Sequence, residues 1–203
     1  MTPTASSPTA DRTTHRTTAR TSDGTAARTT DRLRTLVGGI RAAVDRGLPP
    51  EATAWLVADA LRPHLTAPDL LTPAQCEGDP DRYRQHVLHA EPDGMFSLVA
   101  LVWLPGQQTS IHDHVSWCVT GIHRGEEHER RYRLVPDRPG ARLEAAGDLV
   151  SPAGTVTAFA PPGDIHRVCN GGTDTAISLH VYGADITRLG SSVRRVYRLP
   201  ADR

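Results

Sequence analysis

The stretch GQQTSIHDHVSWCVTGIHRG, residues 106–125, carries the pattern that decides the fold. His112 and His114 stand one residue apart, and Cys118 follows four residues after the second histidine. Alternate side chains of a β-strand share a face, so His112, His114, Ser116 and Cys118 are predicted to point the same way. Neutral imidazole is the commonest ligand for first-row transition metals, so the pair indicates a metal site. A lone His-x-His pair also occurs on surfaces and in cores, and further motifs must separate these interpretations.

Size and charge limit the function classes. The chain has 203 residues, enough for one domain with a substantial core. Its formal net charge is zero, which argues against a nucleic-acid or acidic-membrane partner. Three cysteines without a framework spacing favour a reducing, cytoplasmic location. No run approaches the roughly 18 apolar residues of a membrane span, and no apolar signal core is evident.

Amino-acid composition and the spacing of apolar residues divide the chain into a tail and one domain. Residues 1–30 are rich in Thr and Arg and lack large apolar residues after Met1, so we expect a disordered tail. Residues 31–203 are predicted to form a single domain, helical over 31–75 because apolar residues recur there at helical spacing. The pattern over 83–198 is that of a β-barrel.

The β region contains many short strands. MFSLVALVWL, residues 95–104, is too apolar for a one-sided strand and is predicted to be buried on both faces. Turn signals separate further candidates, and the absence of a βαβ rhythm favours a sandwich or small barrel. The further candidate strands are 110–123, 128–135, 142–145, 155–160, 166–169, 175–183 and 193–198.

A second motif makes the first one specific. PPGDIHRVCN, residues 161–170, places His166 in a Pro-x-Gly-x-x-His-x-x-x-Asn pattern. The spacing of both motifs resembles the two signatures of the cupin superfamily, which implies a mainly β fold, a small jelly-roll barrel preceded by two or three short helices. The resemblance also implies that His112, His114 and His166 bind a metal. Where that family normally has a glutamate ligand, this chain has Cys118.

The ligand set indicates which ion fits. Three neutral imidazoles leave the full charge on a bound cation, which favours anionic ligands such as a thiolate. Fe(II) can hold a thiolate and dioxygen together, so iron is the predicted cofactor. Zinc is a poorer candidate, because it would need a water nucleophile and a carboxylate base that this motif lacks.

The segment SLHVY, residues 178–182, extends the resemblance. Ser178, His180 and Tyr182 share one strand face and can form a hydrogen-bonded relay. Three histidines, Cys118 and this segment together resemble the thiol dioxygenases of the cysteine dioxygenase family, over roughly residues 83–197. The resemblance implies oxidation of a small thiol by O2 to its sulfinate, with Ser178, His180 and Tyr182 as catalytic residues.

Cys118 has two interpretations. In animal cysteine dioxygenases, a cysteine at the equivalent position forms a thioether with the tyrosine that matches Tyr182. The resemblance therefore implies a Cys118–Tyr182 cross-link, whereas the alternative is a small, buried and inert thiol. The sequence leaves this open.

The substrate residues also leave a choice. In YRQHVL, Gln85 occupies the position where animal-type enzymes carry an arginine, and mercaptopropionate dioxygenases resemble this chain there. Those enzymes supply a late arginine to the substrate carboxylate, which implies Arg194, with Arg195 as the neighbour it could be confused with. Gln85 favours 3-mercaptopropionate and Cys118 favours cysteine, so the pattern is closest to the bacterial Gln-type enzymes and the thiol stays open.

Two other classes of function are retained. One is a different metal-dependent cupin enzyme, which would need a carboxylate near the metal, and the other is a non-catalytic ligand-binding cupin. The expected partners are a small-molecule thiol and O2, with no nucleic acid and no membrane. The oligomeric state is left open, with a monomer as the favoured interpretation.

Overall fold

A computed structural model describes residues 17–137 and 140–199, with side chains from residue 28 onward. Two helices lead into ten strands, and a short helix precedes the last strand. The elements are α1 (Thr17–Val44), α2 (Pro50–Leu61), a 3₁₀ turn (Pro73–Cys76), β1 (Arg84–Ala90), β2 (Ser97–Trp103), β3 (Ile111–His114), β4 (Cys118–Arg124), β5 (Glu126–Asp137), β6 (Gly140–Pro152), β7 (Val156–Phe159), β8 (His166–Cys169), β9 (Ala176–Tyr182), α3 (Ile186–Leu189) and β10 (Val193–Tyr197). The predicted mainly β barrel with preceding helices is confirmed.

The strands form two five-stranded antiparallel sheets. Sheet I has the order β1-β2-β9-β4-β7, and sheet II has the order β10-β3-β8-β5-β6. Every residue of β2 and of β9 is buried, because sheet I is covered on both sides. The prediction that the run 95–104 is buried on both faces is therefore confirmed for residues 96–103, whereas Met95 is exposed.

Alternation along β9 sorts its side chains between two environments. Ile177, Leu179 and Val181 belong to the apolar cluster shared with the helices. Since side chains alternate along a strand, Ser178 and His180 point the other way, into the space between the sheets. The relay residues therefore point into the barrel because the apolar residues that alternate with them on β9 pack against the helices.

The helices pack against the outer face of sheet I. Leu36, Ile40 and Leu61 are fully buried in the cluster that includes Leu98 and Leu179. Fully burying side chains of this size contributes about 1.5–3 kcal/mol each, so the packing of the helices stabilises the barrel. No helix in the described part of the chain combines the length and apolar character that a membrane span requires.

The predicted strand 110–123 is wrong in one respect. It is two strands, β3 and β4, which lie in different sheets. The chain crosses between the sheets at residues 115–117, where the backbone of Val115 bonds to Ser192 and that of Trp117 bonds to Gly183. Cys118 therefore reaches the interior from sheet I, and not as a continuation of the histidine strand.

The structure also differs from the predictions for the tail and for the strands 128–135 and 142–145. Residues 1–16 of the tail lie outside the described residues, and residues 17–30 form the first half of α1 instead of disordered chain. Once a helix is nucleated, each added residue costs little, so α1 extends over 17–30 although Thr and Gly there are weak helix formers. Strands β5 and β6 are longer than the predicted 128–135 and 142–145, because exposed ion pairs such as Arg130–Asp148 replace the apolar alternation.

Candidate metal centre

Three histidines come together on neighbouring strands of sheet II. His112 and His114 lie on β3, and His166 lies on β8 directly opposite His112 in the register. Each side chain offers one ligand atom, and these atoms all lie within 4.8 Å of one another. All three residues are buried. The structure therefore brings the predicted ligands into one cluster.

Each imidazole is oriented by an acceptor at Nδ1. The carbonyl oxygen of Ser110 lies 2.9 Å from His112 Nδ1. Asp164 Oδ2 lies 3.0 Å from His114 Nδ1, and Glu129 Oε1 lies 2.8 Å from His166 Nδ1. Carbonyl and carboxylate oxygens only accept, so each Nδ1 carries the proton and each Nε2 keeps its lone pair. Outer partners of this kind fix the ring orientation of metal-ligating histidines.

The electrostatics of the cluster fit a cation. Burial, together with the neighbouring His166 and His114, lowers the pKa of His112 to about 3. Burial also lowers the pKa of His114. The Nε2 atoms of His112 and His114 are 3.2 Å apart, so two lone pairs face each other unless a cation lies between them. We conclude that this donor set can hold a metal ion.

Sequence reasoning missed the two carboxylates behind the histidines. Burial alone would raise the pKa of Asp164, but hydrogen bonds from His114 lower it overall. Burial likewise opposes the ionisation of Glu129, yet hydrogen bonds from His166 and Arg131 lower its pKa to about 2. Asp164 sits inside the second motif, where its place before His166 was a usable signal. Glu129 had none, because only the barrel brings β5 beside β8.

A cavity of about 130 Å³ opens in front of the histidines. Its walls contain hydroxyl, amide, imidazole, indole and aliphatic groups, and no Arg, Lys, Asp or Glu from the described residues is among them. A volume of this kind accommodates a small molecule bound at the metal. The lining residues are Tyr83, Gln85, Leu101, Trp103, Thr109, Ser110, His112, His114, His166, Val168, His180, Tyr182, Ser192, Val193 and Val196.

The relay residues are within hydrogen-bonding reach of each other. Ser178 Oγ lies 3.0 Å from His180 Nε2, and the Tyr182 hydroxyl lies 3.3 Å from His180 Nδ1. Burial lowers the pKa of His180 to about 3 and raises that of Tyr182 well above its ordinary value. The imidazole is thus neutral and the phenol keeps its proton at neutral pH. His180 and Tyr182 both line the cavity, so the relay ends beside the cluster of three histidines.

Cys118 lies beside this relay. It is directly opposite Tyr182 in the pairing of β4 with β9, and its Sγ is 4.0 Å from His180 Nδ1. The side chain is fully buried, and burial raises the pKa of its thiol far above the usual range. The two residues are therefore neighbours, and the thiol is protonated.

The structure separates the predicted substrate residues. Gln85 lines the cavity, but Arg194 is exposed and does not. The cause is a bulge in β10 between Val193 and Arg195, across which Val193 and Val196 face the cavity. The expectation that Arg194 contacts the substrate is not supported by this geometry.

The neighbouring arginine, Arg195, is bound to an aspartate outside the cavity. Arg195 forms an ion pair with Asp113, and the distance from its Nη2 to Asp113 Oδ2 is 2.6 Å. The hydroxyl of Tyr197 donates to the same oxygen at 2.9 Å. Asp113 alternates with the two histidines of β3 and lies on the opposite face of the strand. Arg195 is therefore held away from the cavity.

A two-sheet barrel with three histidines on its inner wall defines a metal-binding cupin. The family model for cysteine dioxygenase type I matches residues 75–189, which is more than half of the chain. The chain therefore belongs to the cysteine dioxygenase type I family.

Solved structures with similar folds are more distant. An uncharacterised conserved protein with a double-stranded β-helix domain from Klebsiella pneumoniae is 17% identical, with 55% of this chain and 85% of that chain covered and a TM-score of 0.43. A cupin 2 conserved barrel domain protein from Salinispora arenicola is 22% identical, with 59% and 92% covered and a TM-score of 0.40. A cupin superfamily protein from Desulfitobacterium hafniense is 13% identical, with 60% and 90% covered and a TM-score of 0.40.

Proposed function

We propose that this protein is a mononuclear non-heme iron thiol dioxygenase that acts on a small thiol carboxylate, cysteine or 3-mercaptopropionate. One O2 adds to the thiol, R–SH, to give the sulfinic acid R–SO2H, so the thiol supplies the electrons and no other reductant is required. The observation that carries the proposal is the shared cavity: three oriented imidazoles and the protonated Tyr182 hydroxyl face the same space. Membership of the cysteine dioxygenase type I family supports it.

The proposed cofactor is Fe(II), held by His112, His114 and His166. When bound, this ion supplies the redox chemistry that lets dioxygen react with a thiolate. The donor set fits it, because three neutral nitrogen ligands leave its positive charge available to anionic partners. The carboxylates of Asp164 and Glu129 contribute indirectly, since each accepts a hydrogen bond from the Nδ1–H on the far side of a ring.

The protein side chains would bind and orient the substrate. Tyr182 stays protonated and can donate a hydrogen bond to a carboxylate or an oxygen atom in the cavity. Gln85, on the same wall, offers an amide donor. Since the described cavity wall contains no arginine, neutral donors and the charge of the ion are proposed to hold the substrate carboxylate. His180 and Ser178 keep the Tyr182 hydroxyl in position.

The position of the carboxylates disfavours the other cupin enzymes considered above. A zinc hydrolase or an isomerase would place an acid or base next to the reacting atoms. In the described structure, Glu129 and Asp164 bond to the outer nitrogens of His166 and His114, and neither lines the cavity. The thiol dioxygenase proposal needs no such group.

Oxygen consumption tests the proposal directly. The iron-loaded protein is mixed with cysteine, 3-mercaptopropionate or cysteamine, and oxygen uptake is compared with the sulfinate formed. We expect equal amounts of oxygen consumed and sulfinate formed with at least one thiol carboxylate, and loss of both in His166→Ala. No uptake with any of the three thiols, or a preparation that binds zinc and excludes iron, would reject the proposal.

A further inference from the structure

A buried carboxyl group lies behind the relay and takes no part in the functions described so far. Glu127, on β5, is only 4% exposed, although ionisable side chains are rarely buried without a partner. Its Oε1 has no hydrogen-bond partner among the described residues. A buried polar atom without a partner costs about 1–3 kcal/mol, so its retention calls for a reason.

The groups near Glu127 are those of the relay. The Trp103 indole donates to Ser178 Oγ at 3.1 Å, and Ser178 Oγ lies 3.0 Å from His180 Nε2. Burial raises the pKa of Glu127 to about 7, and hydrogen bonding with Ser178 and then Trp103 opposes that rise. Glu127 therefore interacts with the end of the relay that is farthest from Tyr182.

The donor inventory of Ser178 decides the direction of the relay. A serine hydroxyl has one proton and can accept two hydrogen bonds, and Trp103 can only donate. If Ser178 gives its proton to a carboxylate, it must accept from His180 Nε2–H. A neutral imidazole with its proton on Nε2 has an acceptor at Nδ1. That atom is the one that faces the Tyr182 hydroxyl at 3.3 Å.

We infer that Glu127 is a positioning residue that sets the tautomer of His180, and through it the direction in which the Tyr182 hydroxyl points. With ionised Glu127, every hydrogen bond in the relay runs from Tyr182 toward the carboxylate. Without an acceptor at position 127, Ser178 donates to His180 Nε2 instead, the ring carries its proton on Nδ1, and Tyr182 must accept. The phenol proton is then free to point into the cavity.

A small cavity lies between Glu127 and Thr120. Its volume is about 20 Å³, and Glu127 and Thr120 both contribute to its wall. This is room for one water molecule among hydroxyl groups that can satisfy it. Thr120 Oγ1 also lies 3.4 Å from His180 Nδ1, so this hydroxyl group lies between the cavity and the imidazole. The remaining hydroxyl groups of the wall belong to Ser151, Thr155 and Thr157.

The charges around Glu127 place its titration near neutral pH. Burial is the main cause of the raised pKa, and the nearby charge of Glu129 on the same strand adds to it. The other ionisable groups facing this region are Cys118 on β4 and His180 and Tyr182 on β9, which burial keeps uncharged at neutral pH. The relay is thus expected to change direction as the pH falls through about 7.

Nitrogen NMR of the histidine rings tests the tautomer. The zinc-loaded full chain is used because zinc is diamagnetic, and the His180 signals are identified by their loss in His180→Gln. At pH values above the pKa of Glu127, we expect wild-type His180 to carry its proton on Nε2. Glu127→Leu should move that proton to Nδ1. The control Glu126→Gln changes an exposed carboxylate on the same strand and should behave as wild type.

Two results would overturn the inference. One is wild-type His180 protonated on Nδ1 in alkaline solution, and the other is an unchanged tautomer in folded Glu127→Leu. If that variant does not fold, the wild type alone decides, because its His180 signals must then change with pH through the titration of Glu127. Constant signals between acidic and alkaline solution would contradict the assignment.

The consequence for turnover rests on the proposed function. Glu127→Leu is expected to raise kcat for thiol-dependent oxygen uptake about fivefold above the pKa of Glu127 with little change in KM, because the phenol proton that His180 accepts in the wild type is then available in the cavity. An unchanged kcat in a variant with the altered tautomer would reject this consequence. Absence of oxygen uptake by the wild type would reject the proposed function instead, and would leave the NMR result intact.

Discussion

Asp164 holds His114 at two points. Its Oδ2 accepts from the backbone N–H of His114 at 2.8 Å and lies 3.0 Å from the ring Nδ1. One carboxylate oxygen thus fixes both the strand and the imidazole that it carries. The arrangement makes the ring a better ligand, since an acceptor at Nδ1 raises the basicity of Nε2.

Removal of this carboxylate should weaken metal binding. We expect Asp164→Asn to lower metal affinity about 10- to 100-fold, because the ring loses a charged orienting partner. The measurement is competition with a chelator of known affinity. Asp174→Asn, at an exposed position, is the matched control. Equal affinities in wild type and Asp164→Asn would show that this contact does not support the metal site.

The cavity wall predicts which side chain binds the substrate. Gln85→Leu should raise KM for the thiol carboxylate about 5- to 10-fold, because a donor in the cavity is lost while its volume is retained. Arg194→Ala should change KM little, because Arg194 is exposed outside the cavity wall. Steady-state oxygen uptake by both variants is the measurement. A selective rise of KM in Arg194→Ala would instead assign the carboxylate to that arginine.

The three thiols should differ in reactivity. Cys118 is fully buried, and burial holds the pKa of its thiol far above the usual range, whereas Cys76 and Cys169 are partly exposed. Since the thiolate is the reactive form, we expect an alkylating agent to modify Cys76 and Cys169 in the folded protein and to spare Cys118. Peptide mass spectrometry after brief treatment measures this. Modification of Cys118 at the rate of the other two would contradict its described burial.

The same spectra test the Cys118–Tyr182 cross-link. A thioether between the two residues removes two hydrogen atoms and joins two peptides. Because the residues face each other across β4 and β9, we expect the joined peptide to accumulate during turnover with iron, thiol and O2. Separate, unmodified peptides after many turnovers would favour the inert thiol, and Cys118→Ser is the matched control.

Acid should destabilise the fold through His180. Burial lowers its pKa to about 3, whereas an exposed histidine titrates near 6.5. The unfolded chain therefore binds more protons between these values, and this contribution to the free energy of unfolding falls as the pH falls. Between pH 7 and pH 4 it amounts to about 3 kcal/mol, which His180→Gln should lack. Glu127, whose pKa is raised, changes the free energy of unfolding with pH in the opposite direction. Both proteins contain Glu127, so the measurement is the difference between the free energies of unfolding of wild type and His180→Gln, determined in urea at each pH.

The contact between α2 and the barrel depends on a missing side chain. A Cβ added at Gly121 would lie 2.8 Å from side-chain carbons of Leu61 and Leu65. Gly121→Ala should therefore destabilise the fold by about 1–3 kcal/mol, the usual cost of overpacking. Gly38→Ala, on the exposed side of α1 with open space around it, should be neutral or stabilising by up to about 1 kcal/mol. Thermal unfolding of both variants checks this contrast.

Some of the site was predictable and some was not. Fixed spacing within two motifs identified His112, His114 and His166, because both motifs hold their ligands on single short strands. Alternation likewise predicted the relay on β9. The carboxylates of Glu127 and Glu129 were missed, since Glu129 reaches His166 only when β5 pairs with β8, and Glu127 reaches the relay only when the two sheets face each other. No local pattern on β5 contains that pairing.

The exposed position of Arg194 also depends on a feature that the sequence does not show. Arg194 was chosen because it resembles the late arginine of the mercaptopropionate dioxygenases, and such a match does not show the bulge in β10 between Val193 and Arg195. The crossing between β3 and β4 is likewise not visible in the sequence, so 110–123 was predicted as one strand. Regular periodicity is a property of one element, whereas bulges and sheet changes depend on partners that are distant in sequence.

The pairing of β3 with β8 has a mechanical consequence. The two strands are joined in register only at His112 and His166, yet a long stretch of chain separates them in sequence. An ion bound by both histidines would close the chain between β3 and β8 into a loop, and would restrict the unfolded chain much as a covalent bridge does. Metal loading and resistance to unfolding should therefore rise together, so that a bound ion would also hold the two strands of the barrel together.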